Sequence, residues 1–345
     1  MAVMADHFGL DVDPKDPEVV DDLIHQGDNL ARDEGLIDYD DMVYLPAAWD
    51  LRPRSVGFVA VDEAQDLNAA QQQLVLKLAG KGGRILAVGD PSQSIYGFAA
   101  ADAESFNTMR RLTTAVDLPL SICYRCPTSH IRLAQAIVPH IEAREGAPEG
   151  IIGDVKRGEM DKVIRPGDLI LCRLTAPLVS ACLGLIRSRI HARVRGRDIG
   201  ASLGRIIRAV EGMPDYTWER FPEFLQKYIN NQVENLVRLD ASPARIDSLT
   251  DQMDSILVCY EVASVKSAGE LSAYIEGLFD DNTPAVMLST VHRAKGLEND
   301  RVFILAPDKL PLIWKGQREW ELQQERNLRY VALTRSTSEL YFVEE

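Results

Sequence analysis

Four apolar residues, Phe58 to Val61, run straight into two acids, Asp62 and Glu63. A short continuous apolar run of this kind reads as a buried strand of a parallel sheet. The helix-patterned stretch LNAAQQQLVLKLAG follows, ending in Gly80 as helices often end, and a second strand is expected at 84 to 89. Strand, helix and strand in this order predict a parallel α/β sheet. Ligands gather at the carboxyl ends of such strands, where the first acid can hold Mg²⁺ and the second can orient and deprotonate water.

The second strand runs into LAVGDPSQSIYGFAAAD, residues 86 to 102. Gln93 is an uncharged donor placed to sense a phosphate on a ligand of the neighbouring strand. Tyr96 and Phe98 are aromatics in a polar, glycine-containing loop, which suits stacking on bases, worth ~1–3 kcal/mol per base. Next, LSICYRCP (120 to 127) sets Tyr124, a stacking platform, beside Arg125, whose planar fork suits a γ-phosphate. Cys123 and Cys126 have zinc-like spacing, but no second pair or histidine cluster completes four ligands. The five cysteines are scattered and odd in number, which argues against a disulfide framework.

At 345 residues the chain is long enough for two domains. A turn-rich segment from Arg144 to Asp168 reads as a boundary. Beyond it strands are expected at 168 to 174, 285 to 291, 301 to 306 and 339 to 343, with a helix near 176 to 190. Residues 201 to 283 read as several helices, with Ser242 and Pro243 as one start and Ser267 with Glu270 as a capping box. The formal charge of −14 argues mildly against a nucleic-acid partner but does not exclude one, because the local field steers a polyanion. No apolar run approaches the ~20 residues that span a bilayer, and the N-terminus lacks the regions of a signal peptide, so a cytoplasmic protein with no membrane partner is expected.

Taken in order, DEAQD, GDPSQSIYGFAAAD, YRCP, STVHRAKGLE and YVALTR resemble the successive motifs of the UvrD/Rep-like superfamily 1 DNA helicases. LIDYDDMVYL, residues 36 to 45, resembles the segment just ahead of the acidic motif. The resemblance implies two RecA-like parallel-sheet domains that clamp ATP and walk 3′ to 5′ along single-stranded DNA or to single-strand/duplex junctions. It implies Asp62 as the Mg²⁺ ligand, Glu63 as the activator of water, Gln93 as the γ-phosphate sensor, and Arg125 and Arg335 as arginine fingers. Tyr124 would stack on adenine and Glu298 would bind the ribose, with Gly296 also at the nucleotide. Tyr96, Phe98, Thr290 and His292 fall where the family contacts DNA.

The domains expected on this basis are a helical remnant (1 to 35), a partial first RecA-like domain (36 to 140), and a second one (141 to 200 and 284 to 345) interrupted by a helical insertion (201 to 283). In HARVRGRD, Arg193, Arg195 and Arg197 would point the same way on a strand, as a row tracking DNA phosphates or as a solvated face. The family's Gly-rich phosphate loop, ending in Gly-Lys-Thr or Gly-Lys-Ser, has no counterpart upstream of Asp62. Three explanations stay open: a truncated helicase, half of an enzyme completed by a second chain carrying the loop, or a non-catalytic DNA-binding or regulatory remnant. A helicase subunit of a nuclease complex is a further reading, its nuclease lying elsewhere.

Overall fold

The computed structural model describes residues 16 to 95, 105 to 238, 243 to 279 and 286 to 344. The chain divides into two compact units, Met1–Pro119 and Leu120–Glu345.

In the first unit, helices α1 (Asp16–Asp33) and α2 (Asp41–Ala48) precede strand β1 (Phe58–Val61), helix α3 (Ala69–Ala79), strand β2 (Arg84–Ala87) and helix α4 (Ser105–Thr113). β1 and β2 pair in parallel, Phe58 with Arg84 through Val61 with Ala87, as strand–helix–strand order requires. Asn68 and Gln71 form a reciprocal capping box at the start of α3, and Gly80 ends that helix at φ 59°. Lys77 on α3 donates to Pro46 O at 2.8 Å and ties α3 to α2. The apolar run is less buried than its sequence predicts: Phe58 is 52% exposed, Leu86 47% and Val88 44%. Parallel sheets are normally covered on both faces. The described residues of this unit supply two strands and leave these side chains open.

The second unit contains the short parallel pair β3 (Ile122–Cys123) and β4 (Glu142–Ala143), with helix α5 (Thr128–Ala134) between them. Its main sheet has six parallel strands in the order β5-β10-β9-β6-β8-β7. These are β5 (Ile151–Lys156), β6 (Leu169–Cys172), β7 (Ala192–Val194), β8 (Val286–Thr290), β9 (Asn299–Leu305) and β10 (Ser336–Glu344). Its longer helices are α6 (Thr175–Arg187), α7 (Arg197–Glu211), α8 (Phe221–Arg238), α9 (Pro243–Val262), α10 (Ala268–Leu278) and α11 (Glu319–Leu333), with a single helical turn at Met160–Val163. β6 is buried along its whole length, as a central parallel strand should be.

Strand β5 corrects the reading of 144 to 168 as turn-rich throughout. Its glycine and aspartate masked a strand that pairs with β10 at the sheet edge, Ile151 with Glu339 through Lys156 with Glu344. Gly153 lies under the Tyr341 ring, where a Cβ would approach within 3.1 Å.

One apolar core runs from the sheet (Ile170, Val286, Phe303) through α6 (Leu178, Cys182) into α7 to α10 (Leu203, Phe221, Ile256, Leu271). The helices of 201 to 283 thus share the core of the sheet. Asp251 on α9 also accepts from Thr175 N and Ala176 N, both at 2.8 Å, and so caps the start of α6. Pro243 opens α9, as its fixed φ favours, while Ser242 lies outside the described residues. The capping box at Ser267 is half formed. Its hydroxyl accepts from Glu270 N at 3.2 Å, but the Glu270 carboxylate takes Lys266 N rather than Ser267 N.

Arg301, on β9, knits three strands: it meets Asp168 at 2.9 Å just before β6 and Glu339 of β10 at 2.8 Å. Its third side donates to Val163 O at 3.1 Å. All five cysteines are free, and among the described residues no helix is long and apolar enough to cross a membrane.

Candidate functional site

The acidic turn of the first unit is held by backbone and side chain together. The ladder of β1 and β2 continues past both strands, Val88 N donating to Val61 O at 2.8 Å and Ala64 N to Val88 O at 2.9 Å. This brings Asp62 and Glu63 beside Gly89 and Asp90. Glu63 sits at φ 51° in the left-handed region, a conformation that costs a non-glycine residue ~1–3 kcal/mol and persists only when its surroundings enforce it. Here the enforcement is visible. Glu63 N donates to Asp62 Oδ1 at 2.9 Å, and the Gln65 amide donates to Glu63 Oε2.

Gln65 is 1% exposed, and its own carbonyl oxygen accepts from Asp90 N at 3.1 Å. One buried carboxamide therefore ties the Glu63 carboxylate on the first strand end to the backbone of the second. A Cβ at Gly89 would collide with Gln65 Oε1, so only glycine leaves room for this bridge. Asp90 in turn accepts from Gln93 Nε2 at 2.9 Å and from Ser92 N at 2.9 Å, which fixes the sensor-like glutamine. Buried Gln72 donates to Ser105 Oγ at 2.8 Å, and Ser105 Oγ donates to Leu67 O at 2.5 Å, so α3 and α4 brace the turn. Tyr96 and Phe98 lie outside the described residues.

In the second unit the expected nucleotide residues converge. Tyr124 is 75% exposed at the end of β3. Its neighbour Arg125 pairs with Glu298 at 2.5 Å, across 173 positions of sequence. Arg335, 1% exposed, donates to Val331 O at 3.0 Å and Leu297 O at 3.1 Å, and its Nη2 donates to Thr334 Oγ1 at 3.4 Å. Burial, then the nearby Arg125 charge, lower the Arg335 pKa. The two arginines expected as fingers thus lie close enough for their charges to repel, and the Glu298 charge acts on Arg335 in the opposite sense. Gly296, at φ 80°, turns the chain into that segment.

The expected DNA-side residues gather at the ends of β7 and β8. Thr290 is buried at the end of β8, and Arg195 N donates to Leu288 O at 2.8 Å. The row of three arginines on one strand does not form. β7 ends at Val194 because Gly196, at φ 128°, breaks it, and Arg197 is the first residue of α7. Arg193 donates to Gly277 O at 2.9 Å. Arg293 pairs with Asp198 beside them, so the surface carries mixed charge.

The His292 imidazole is pushed down to about 3 by burial first and by Arg173 and Arg293 after it. It is a neutral side chain at physiological pH, suited to hydrogen bonding or stacking and not to neutralising phosphate. Below pH 6.5 the unfolded chain takes a proton that native His292 refuses, so stability is lost as pH falls from 6.5 toward 3. The stability difference between wild type and His292→Gln should therefore shift by up to about 2 kcal/mol in the variant's favour between pH 7 and 5, read by urea titration. A difference that stays flat would mean that native His292 takes up its proton as readily as it does in the unfolded chain.

Three positions escaped the sequence reading. Gln65 stands inside the acidic motif, where its spacing two residues beyond Glu63 was the available signal. Arg173 and Glu325 form a bidentate pair, with Arg173 Nη2 2.6 Å from Glu325 Oε1, and Glu325 also accepts from Leu312 N at 2.9 Å. Only the fold brings them together.

Magnesium carried by a nucleotide is held by one or two carboxylates, phosphate and water. The exposed Asp62 at a strand end fits that donor set, and no cluster of three ligating side chains among the described residues makes a separate metal centre.

Comparison with known proteins matches residues 17 to 113 to the UvrD/REP helicase N-terminal domain and residues 179 to 344 to the UvrD-like helicase C-terminal domain. The ATP-dependent DNA helicase UvrD2 of Mycobacterium tuberculosis is 24% identical over 360 residues, covering 89% of this chain and 51% of that protein. The ATP-dependent DNA helicase PcrA of Staphylococcus epidermidis is 30% identical over 131 residues, covering 35% of this chain and 18% of PcrA. The chain thus spans about half the length of the UvrD2 protein it matches.

Proposed function

Since the chain belongs to the UvrD/Rep-like helicase family, we propose that it forms the motor core of an ATP-dependent DNA helicase that moves 3′ to 5′ along single-stranded DNA. The observation that carries this reading is the acidic turn, where Gln65 clamps Glu63 in a strained backbone at the end of a parallel strand. The first unit would be part of the first motor domain. The second would be the other motor domain, with the helices of 201 to 283 inserted.

In this reading Glu63 takes the proton of the attacking water, and Gln65 keeps its carboxylate aimed. Asp62 would hold Mg²⁺, which when bound neutralises phosphate charge. Gln93 would sense the γ-phosphate from its anchor on Asp90. Tyr124 would stack on adenine, with Gly296 and Glu298 at the nucleotide. Arg125 would exchange its Glu298 partner for phosphate, and Arg335 would hold the loop at Leu297 in place and add positive potential. Thr290 and neutral His292, with Arg193, Arg195 and Arg197 nearby, would contact single-stranded DNA and single-strand/duplex junctions in the second unit, and Tyr96 and Phe98 would do so in the first. The open faces of β1 and β2 favour completion by a further polypeptide segment carrying the phosphate loop.

ATP hydrolysis is the test, measured with and without single-stranded DNA on the 345-residue chain, alone and with a separately supplied polypeptide carrying a phosphate loop. Turnover stimulated by DNA is the expected result. DNA binding without turnover in either form would overturn the motor and favour a non-catalytic DNA-binding or regulatory protein.

A further inference from the structure

Cys123 and Cys126 lie on either side of Tyr124 and Arg125, yet neither belongs to the nucleotide chemistry above. Cys123 ends β3, and Cys126 is followed by Pro127, the cap of α5. Cys126 N donates to Cys123 Sγ at 3.5 Å, which sets the two cysteines on one tight turn. Cys123 is partly exposed, whereas Cys126 is 2% exposed with its Sγ 3.6 Å from Thr334 O. Cys123 is therefore the more exposed of the two residues and Cys126 the buried one. Zinc does not explain the pair, because no cluster of three ligating side chains occurs among the described residues.

The two sulfurs are also differentiated chemically. The hydrogen bond from Cys126, helped by backbone N–H groups and the Arg125 charge, pulls the Cys123 thiol down to about 5 against the effect of burial. The same hydrogen bond and burial push the Cys126 thiol well up. Cys172, Cys182 and Cys259 are pushed up to about 11, 12 and 12 by burial, which makes them inert by comparison.

We propose that Cys123 and Cys126 form a redox-active dithiol, a site of thiol–disulfide exchange with low-molecular-weight disulfides of the glutathione type. The Cys123 thiolate attacks one sulfur of the disulfide, a new S–S bond forms, the old one breaks, and one thiolate leaves. Cys126 then loses its proton and attacks Cys123 Sγ, releasing the second thiolate. Two protein thiols are oxidised and one external disulfide is reduced to two thiols, so the electrons balance. Closing the ring replaces the Cys126 S–H with an S–S bond and encloses Arg125 within the four-residue loop. Oxidation thereby acts on the arginine paired with Glu298.

The test equilibrates the full chain in glutathione redox buffers, quenches it with acid and reads masses of the alkylated peptides. The expected result is loss of two hydrogens confined to the peptide carrying Cys123 and Cys126. Cys126→Ser should accumulate a mixed disulfide with glutathione on Cys123, and Cys123→Ser should accumulate none on Cys126. Alkylation of Cys123 in the wild type should slow less than about threefold between pH 8 and pH 6, where an ordinary thiol slows by close to a hundredfold. Glutathione spread over all five cysteines, or no reaction at Cys123 in the wild type, would overturn the proposal. None of these readouts uses ATP or DNA, so the outcome is independent of the motor reading.

Discussion

Glutamine in place of Glu63 is expected to lower ATP turnover of the assembled enzyme by about 10²–10⁴-fold, the usual contribution of a positioned general base. The substitution keeps the shape of the side chain and an oxygen that can accept from Gln65, so the turn is retained while the proton acceptor is lost. Nucleotide and DNA affinities should therefore hold within about twofold, placing the defect in kcat rather than in binding. Gln65→Leu tests the other half of the arrangement. It leaves the Glu63 carboxylate chemically intact but cuts its tie to Asp90 N, so kcat should fall by about tenfold with KM little changed. Gly89→Ala should reproduce that loss from a distance, because the new methyl displaces the Gln65 carboxamide. Full turnover in Glu63→Gln would remove Glu63 from the chemistry altogether. Full turnover in Gln65→Leu alone would mean that the left-handed backbone suffices to aim it.

How much of this was legible beforehand follows from what each signal depends on. The positions of Asp62, Glu63 and Gln93 were readable because strand ends and their following turns are local patterns: the two acids follow β1 directly, and Gln93 closes the turn that follows β2. The pairing of Arg125 with Glu298 was not, since no local rule relates residues 173 positions apart. Strand β5 was hidden because edge strands carry polar and glycine residues that elsewhere mark turns. The arginine row failed for a related reason. Alternation in HARVRGRD has the period of a strand, but Gly196 ends the strand two residues after Val194, and the period then loses its meaning. Cys123 and Cys126 were read only as an incomplete metal motif, because a hydrogen bond between two sulfurs is a property of the folded turn.

Removing the Arg301 side chain is expected to destabilise the second unit by roughly 3–5 kcal/mol, because breaking a buried ion pair leaves uncompensated charge behind. The Arg301 side chain is 10% exposed and the Asp168 side chain 4%, so solvent offers little relief to the carboxylate left in Arg301→Ala. Burial already raises the Asp168 pKa despite the arginine, and loss of the cation should raise it further. The sign of the pH dependence follows: with a native pKa above the unfolded one, the native state binds the extra proton, and acidification favours it. The deficit of Arg301→Ala should therefore shrink between pH 7 and pH 5, as Asp168 becomes neutral. Glu339 acts in the same sense, since the hydrogen bond it accepts from Tyr341 and then Arg301 lower its pKa and loss of Arg301 relaxes that lowering, but it is the more exposed partner and its contribution is smaller. Urea unfolding followed through Trp218, Trp314 and Trp320 in a Trp49→Phe background reports this unit separately from the first, whose one tryptophan is Trp49. Replacing Arg301, Asp168 and Glu339 together with apolar residues of similar volume should recover most of the loss, since it is the orphaned charge that costs, not the missing pair. A deficit below about 1 kcal/mol, unchanged by acid, would instead mean that water reaches these groups and the network is worth no more than an ion pair at the surface.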